Sequence, residues 1–199
     1  MTNFKTSKTR ENLMRAFAGE SQARNRYTFA AEQAGDQKLY VVEAAFKFTA
    51  DQECAHAKVF YDLLSELSGE SITVDGSYPV DITNSVAELL RMAVHNEMEE
   101  YGDAYKSFSE TAREEGFMEV AAKFSSIAEI EKTHADRFKA LAEHLENNTL
   151  FVSDVKCEWM CLNCGNIVNV KEAPPVCPVC NHDRGYFIRL EFAPYTEKN

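Results

Sequence analysis

Glu53-Cys54-Ala55-His56 and Glu131-Lys132-Thr133-His134 repeat one Glu-x-x-His motif 78 residues apart, each at positions where a helix should be apolar. Around the first copy, Val42, Phe46, Thr49, Glu53, His56, Phe60, Leu63 and Leu67 follow at steps of three and four. Around the second, Val120, Phe124, Ile127, Glu131, His134, Phe138, Leu141 and Leu145 do the same. That stepping is the seam of a packed helix, so each copy points a carboxylate and an imidazole into a core. Burying unpaired charge there is costly, and a pair of metal ions would resolve the conflict.

Four helical patterns fill residues 1–146. The first runs from about Ser7 to Ala34, with Leu13, Phe17, Glu20 and Tyr27 on one stripe, and Gly35-Asp36 is expected to break it. The second runs from about Lys38 to Leu67 and stops at Ser68-Gly69. Residues 69–81 lack periodicity and form a loop long enough to cross a bundle. Thr83 or Asn84 is placed to cap a third helix that reaches Glu115 and ends at Gly116. Its inner face carries Val86, Leu90, Val94, Glu97, Tyr101 and Phe108. The fourth runs from Phe117 to Glu146. Short turns within each pair and one long connection between pairs describe a mainly α, ferritin-like four-helix bundle with a crossover. From Lys156 the character changes to paired cysteines, prolines and short β-prone runs (167–170 and 186–192). The expected division is therefore a bundle over 1–146, a linker over 147–155 and a small β-rich metal domain over 156–199.

The two halves read as a duplication. Glu53 maps to Glu131 and His56 to His134 at an offset of 78, while Glu20 maps to Glu97 at 77. One Glu from each of two helices plus a Glu-x-x-His from each of the others is the ligand set of di-iron and di-manganese carboxylate bundles. Mixed oxygen and imidazole ligands suit iron or manganese better than soft metals. Glu100, three residues after Glu97, breaks the symmetry, since its counterpart is Ala23. The candidate ligands are Glu20, Glu53, His56, Glu97, Glu100, Glu131 and His134. Tyr27 and Tyr105 lie one to two turns beyond Glu20 and the Glu97/Glu100 pair, where a phenol can support a ligand carboxylate. His95 falls on another face, and His144 and His182 read as exposed.

Cys161-Leu162-Asn163-Cys164-Gly165 and Cys177-Pro178-Val179-Cys180-Asn181 form two C-x-x-C knuckles, a tetrahedral four-thiolate site for iron or zinc. Gly165 and Asn181 stand where positive φ is expected. Cys54 and Cys157 read as ordinary thiols, Cys54 being near enough to the carboxylates to be oxidised.

The net charge of −11 is concentrated in the bundle, with −10 over residues 1–150, which disfavours nucleic acid and anionic lipid as partners. No apolar signal core or membrane-length stretch is present, so the expected location is cytoplasmic.

With both constellations in place, the chain resembles the rubrerythrin family over essentially its whole length. The motifs match in order: Glu20; Glu53-x-x-His56; Glu97-x-x-Glu100; Glu131-x-x-His134; then the two cysteine pairs. Asn181 stands where rubredoxin knuckles usually carry Gly, and Ala23 departs from symmetric relatives with a carboxylate there. The resemblance implies two irons bridged by Glu53 and Glu131, with Glu20, Glu97 and His134 terminal, and a third iron on Cys161, Cys164, Cys177 and Cys180. It implies that one iron exchanges Glu100 for His56 on reduction, making this pair the catalytic one. The implied activity is two-electron reduction of hydrogen peroxide to water, protecting against oxidative stress. Electrons would come from an NAD(P)H-dependent reductase or a rubredoxin, relayed through the four-cysteine iron, in a homodimer or larger assembly. The alternatives are a ferroxidase or iron-handling protein, and a zinc-ribbon module fused to a di-metal bundle. Zinc in the four-cysteine site of recombinant protein is also anticipated.

Overall fold

A computed structural model describes residues 2–194. Met1 and residues 195–199, the far end of the expected second domain, lie outside the described residues. Among the described residues the α-helices and strands are α1 (Lys8–Asp36), α2 (Tyr40–Asp62), α3 (Val86–Glu99), α4 (Tyr105–Glu115), α5 (Met118–Glu146), β1 (Val152–Cys161), β2 (Ile167–Glu172) and β3 (Phe187–Arg189). The third expected helix is α3 and α4 joined end to end by a π-helical turn, Glu100–Ala104. Among the described residues no helix is long and apolar enough to cross a membrane.

The helix ends follow local chemistry. Ser7 Oγ accepts from Arg10 N at 3.0 Å and starts α1. α1 continues through Gly35 and Asp36, contrary to the expected break. Gly35 instead gives room to α2, since a Cβ there would lie 3.0 Å from the Glu43 carboxylate. The left-handed turn residue is Lys38, with φ 59°. α2 ends at Asp62, short of Leu67, and a 3₁₀ turn over Ser65–Leu67 follows. Ser85, not Thr83 or Asn84, caps α3 through Glu88 N, while Thr83 Oγ1 accepts from Ser85 N. Gly116 ends α4 with φ 91°, as its lack of a Cβ permits.

α1 packs along α2, and α3 and α4 pack along α5, while contact between the two pairs is sparse. The seam residues do face inward. Val42, Phe46, Phe60, Val120, Phe124 and Phe138 are buried together with Glu53, His56, Glu131 and His134. Two aromatic plugs close the bundle above and below these polar groups. One is Tyr27, Phe46 and Phe138; the other is Phe60, Tyr105 and Phe124. Each set has ring centroids 5.0–5.9 Å apart.

The C-terminal sheet is antiparallel, ordered β2-β1-β3, with Trp159 opposite Val168 on one side and Arg189 on the other. Its ladder register shifts between Val152 and Cys157. Trp159 is fully buried and donates from Nε1 to Val170 O at 3.0 Å. β1 carries no clean alternation of apolar and polar residues, which is why periodicity did not reveal it. This module seats on the α1–α2 turn. Tyr40 and Tyr186 stack at 4.2 Å, Lys38 pairs with Asp183 at 3.1 Å, and Gly185 lies so close to Lys38 O that a Cβ would come within 1.8 Å.

Candidate metal centres

The first centre lies between the aromatic plugs and is built with near two-fold symmetry. His56 Nδ1 is 3.0 Å from Glu131 Oε1, 3.2 Å from Glu53 Oε2 and 3.7 Å from Glu20 Oε2. His134 Nδ1 is 2.8 Å from Glu131 Oε2, 3.0 Å from Glu53 Oε1 and 3.5 Å from Glu97 Oε2. Glu53 and Glu131 therefore each divide their two oxygens between the two histidines. Glu20 belongs to one histidine and Glu97 to the other. The result is two overlapping four-residue groups, each with ligand atoms within 4.8 Å of one another.

These atoms fit a pair of cations by what they lack. Glu20 Oε2, Glu53 Oε1, Glu97 Oε2, both oxygens of Glu131 and both ring nitrogens of His134 are buried without a hydrogen-bond partner. A native core rarely tolerates so many such atoms in one place. The oxygens that do not face the histidines are held from outside the cluster. Tyr27 Oη donates to Glu97 Oε1, and Tyr105 Oη donates to Glu20 Oε1. Each tyrosine thus supports a carboxylate on the opposite helix pair, crossing the bundle to do so.

Without cations, protons take their place. Desolvation raises Glu20 well above the usual carboxylate range, and it lifts Glu97 to about 8 with help from the Glu53 charge. Desolvation opposes charge on His56, yet Glu131, Glu20 and Glu53 push it up to about 12. For His134, Glu131, Glu53 and Glu97 likewise overcome desolvation and push it up to about 11. Glu53 is held at about 2 against desolvation by His134 and His56.

Glu100 stands apart. It begins the π turn, lies in neither four-residue group, and lines a cleft beside the centre. Desolvation first, then the charges of Glu20, Glu97, Glu131 and Glu53, raise it well above the ordinary range. The π turn also has a visible origin in the duplication. Glu20 and Glu97 are offset by 77, but Tyr27 and Tyr105 are offset by 78, as are the two Glu-x-x-His motifs. One extra residue has entered between Glu97 and Tyr105. Eight α-helical steps of about 100° would leave Tyr105 about 80° away from the direction of Glu97. A π turn absorbs one residue and brings it back to within about 20°. The signal lay in the change of offset.

The second centre is the four cysteines. Cys161 and Cys180 have Sγ atoms 3.7 Å apart, as do Cys164 and Cys177, and all four lie within 4.8 Å. A tetrahedron with metal–sulfur bonds of about 2.3 Å has edges of about 3.8 Å, so the thiolates are spaced for a metal and not for disulfides. The knuckles repeat one geometry: Gly165 N donates to Cys161 O at 2.8 Å and Asn181 N to Cys177 O at 3.0 Å. Gly165 and Asn181 have φ of 76° and 60°, as expected. A backbone N–H from His182 holds the Cys180 thiol down at about 6. Burial pushes Cys161 up to about 12.

The remaining sequence candidates fall outside both centres. Cys54 is exposed, and Cys157 is half-buried in β1. His95 is exposed and pairs with Glu99 at 3.4 Å. His144 and His182 are half-buried, contrary to the exposed reading. His144 packs against Phe192 with Nδ1 2.8 Å from Thr149 Oγ1, and His182 packs edge-on against Tyr186. Phe192 of the C-terminal module covers His144, whereas His182 is covered within the module by Tyr186, four residues further along.

A family model described as rubrerythrin matches residues 11–142, and one described as the rubrerythrin rubredoxin-like domain matches residues 159–188. The chain belongs to the rubrerythrin family. It is 44% identical over 185 residues to the rubrerythrin of Porphyromonas gingivalis, covering 93% of this chain and 91% of that protein. It is 45% identical over 189 residues to rubrerythrin-1 of Clostridium acetobutylicum, covering 94% and 96%. Among solved structures, fully reduced, all-ferrous nigerythrin aligns with a TM-score of 0.62 at 27% identity, covering 94% of this chain and 92% of that one. A Desulfovibrio desulfuricans bacterioferritin aligns with a TM-score of 0.63 at 25% identity, over 71% and 82%. In a rubrerythrin-family chain, the buried carboxylate–histidine cluster is a di-iron site and the four cysteines are a rubredoxin-like iron site.

Proposed function

We propose that the protein is a non-haem di-iron peroxidase that reduces hydrogen peroxide to water, with electrons entering through the four-cysteine iron. The observation that carries this reading is the way Glu53 and Glu131 share their oxygens between His56 and His134 while Glu100 waits outside. Glu53 and Glu131, which face both histidines, would be shared between the two irons, and Glu20, Glu97 and His134 would each hold one of them. Glu100 and His56 would be the two residues whose hold on one iron depends on its oxidation state. The irons, when bound, would supply the two electrons that cleave the O–O bond, in the balance H2O2 + 2e⁻ + 2H⁺ → 2H2O. The chain's own groups do the rest. Tyr27 and Tyr105 fix the outer oxygens of Glu97 and Glu20, which keeps these carboxylates from rotating. The aromatic plugs exclude bulk water from both ends. Glu100 lines the cleft, where burial and the neighbouring carboxylates favour the protonated form of its carboxyl.

The four-cysteine module docks at the α1–α2 turn, and 13 residues of α2 separate Tyr40 from Glu53, a span of about 20 Å. That distance favours relay to the di-iron site of a second copy in a homodimer or larger assembly. A rubredoxin or an NAD(P)H-dependent reductase is the proposed external donor, and the cytoplasm the proposed location. We keep residues 1–146 and 156–199 as the two functional units, joined by 147–155, of which 152–155 already run in β1.

Stopped-flow absorbance of anaerobically reduced protein mixed with stoichiometric hydrogen peroxide tests the proposal. Rapid reoxidation of both iron chromophores is expected. Accumulation of mineral iron without peroxide turnover would move the function to iron oxidation and storage.

A further inference from the structure

The di-iron centre is closed at both ends by rings that are at most 2% exposed: Tyr27, Phe46 and Phe138, and Phe60, Tyr105 and Phe124. Laterally, the α2–α5 seam is stapled by Arg137, whose Nη1 donates to Thr49 Oγ1 at 2.7 Å and Gln52 Oε1 at 3.1 Å. The seam between α1 and the π turn is different. A cleft of about 230 Å³ lies there, with Ala16, Gly19, Glu100, Ala104 and Tyr105 among its lining residues. The cleft meets one candidate ligand, Glu100, directly, and Tyr105, which donates to Glu20, stands between it and a second.

The crossover loop roofs this cleft. Arg15 on α1 anchors it through Asp75 O at 3.1 Å and Asp75 Oδ1 at 2.8 Å. Asn96 on α3 holds it through Asp81 Oδ2 at 2.8 Å. Between these anchors Tyr78 turns its ring over α1, donating from Oη to Arg15 O at 3.2 Å. Two glycines make room for it. A Cβ on Gly76 would lie 2.8 Å from the ring, and one on Gly19 would lie 3.8 Å from Tyr78 Cε1. An irregular loop of this length, fixed at two points over a cleft that leads to a reactive centre, fits a lid.

We infer that this cleft is the passage by which oxidant reaches the di-iron centre, with Tyr78 as its door and Gly19 as its threshold. The inference rests on the peroxidase reading and adds a determinant of substrate size. A molecule of two oxygens needs about twice the ~30 Å³ share of one water and passes beside the ring. A hydroperoxide with an aromatic substituent has to displace it. The acidic surface repels anions, so the passage suits an uncharged oxidant.

The test uses full-length, iron-loaded, reduced protein and follows nitric oxide binding by stopped-flow absorbance, beside iron content and thermal midpoint. Nitric oxide is small and neutral, and its binding reports access without turnover. Gly19→Leu, whose first carbon is tolerated and whose remainder fills the cleft, should slow binding roughly tenfold, a barrier increase of about 1.4 kcal/mol. Hydrogen peroxide reoxidation should slow by the same factor at unchanged iron content. Tyr78→Ala should speed nitric oxide binding and raise the rate with cumene hydroperoxide relative to hydrogen peroxide, whereas Tyr78→Phe should match wild type. If Gly19→Leu does not fold, Tyr78→Ala decides alone, because this ring is 40% exposed and not part of the core. Unchanged nitric oxide rates in the folded variants would overturn the passage and place entry elsewhere, for example beside His56, which is 7% exposed. Rates that follow the variants in a protein that does not reduce peroxide would keep the passage and remove the peroxidase.

Discussion

Removing the metals should give the bundle an unusually steep loss of stability with rising pH. In the metal-free fold, Glu97 holds its proton from the ordinary 4.5 up to about 8, and His56 and His134 hold theirs from 6.5 up to about 12 and 11. All three folded-state values are raised. The imidazole contribution is therefore fully present below pH 6.5 and lost as pH climbs toward the folded values. Glu97 likewise favours the folded state less and less between 4.5 and 8. Each extra proton held by the folded state gives a slope of about 1.4 kcal/mol per pH unit, so the three together give at most about 4 kcal/mol per unit near pH 7.5. A domain has about 5–15 kcal/mol in total. Glu20 and Glu100, also raised, act in the same direction. Glu53, held at about 2, acts oppositely, but its contribution is complete above pH 4.5 and adds no slope here. The assay is urea unfolding of chelator-treated protein, followed by helical circular dichroism from pH 6.5 to 8, beside the iron-loaded form. The metal-free midpoint should fall across this range. The loaded midpoint should stay level or rise, because the same oxygens and nitrogens then face cations in place of protons. A metal-free midpoint that is flat or rising would refute the charge assignment.

Three further outcomes are expected. Tyr105→Phe should leave Glu20 Oε1 without its donor and cost about 1–3 kcal/mol in urea unfolding, with iron still bound; an unchanged midpoint would show that the contact contributes little. Asn181→Ala should destabilise the cysteine module by about 1 kcal/mol because its φ is 60°, while Asn181→Gly should be neutral or better, measured by the thermal loss of the four-cysteine iron absorbance. Cys161→Ser should abolish that absorbance and loosen the packing around Trp159, seen as a red-shifted tryptophan emission, while the helical signal from the bundle persists.

The sequence by itself determined the ligand inventory and the layout that follows from it. Buried Glu and His at seam steps are too costly to stand without a reason, so their pattern was readable before any contact was known. Two cysteine knuckles required a tetrahedral metal for the same kind of reason. Tertiary structure decided what depends on neighbours distant in the chain. Tyr27 and Tyr105 support carboxylates across the bundle, not on the helices that carry them. Helix periodicity shows which face a residue is on, but not which residue meets it there. Gly35 was expected to stop α1, yet it serves as clearance for Glu43, because a glycine's spacing role exists only once two helices are packed. His144 was covered by Phe192, a residue too distant in the chain for any local pattern to encode the contact. The extra residue before Tyr105 was present in the sequence as a change of offset from 77 to 78. Only the packed bundle turned it into a π turn, because Tyr105 had to return to the core while Glu100 was left at the cleft.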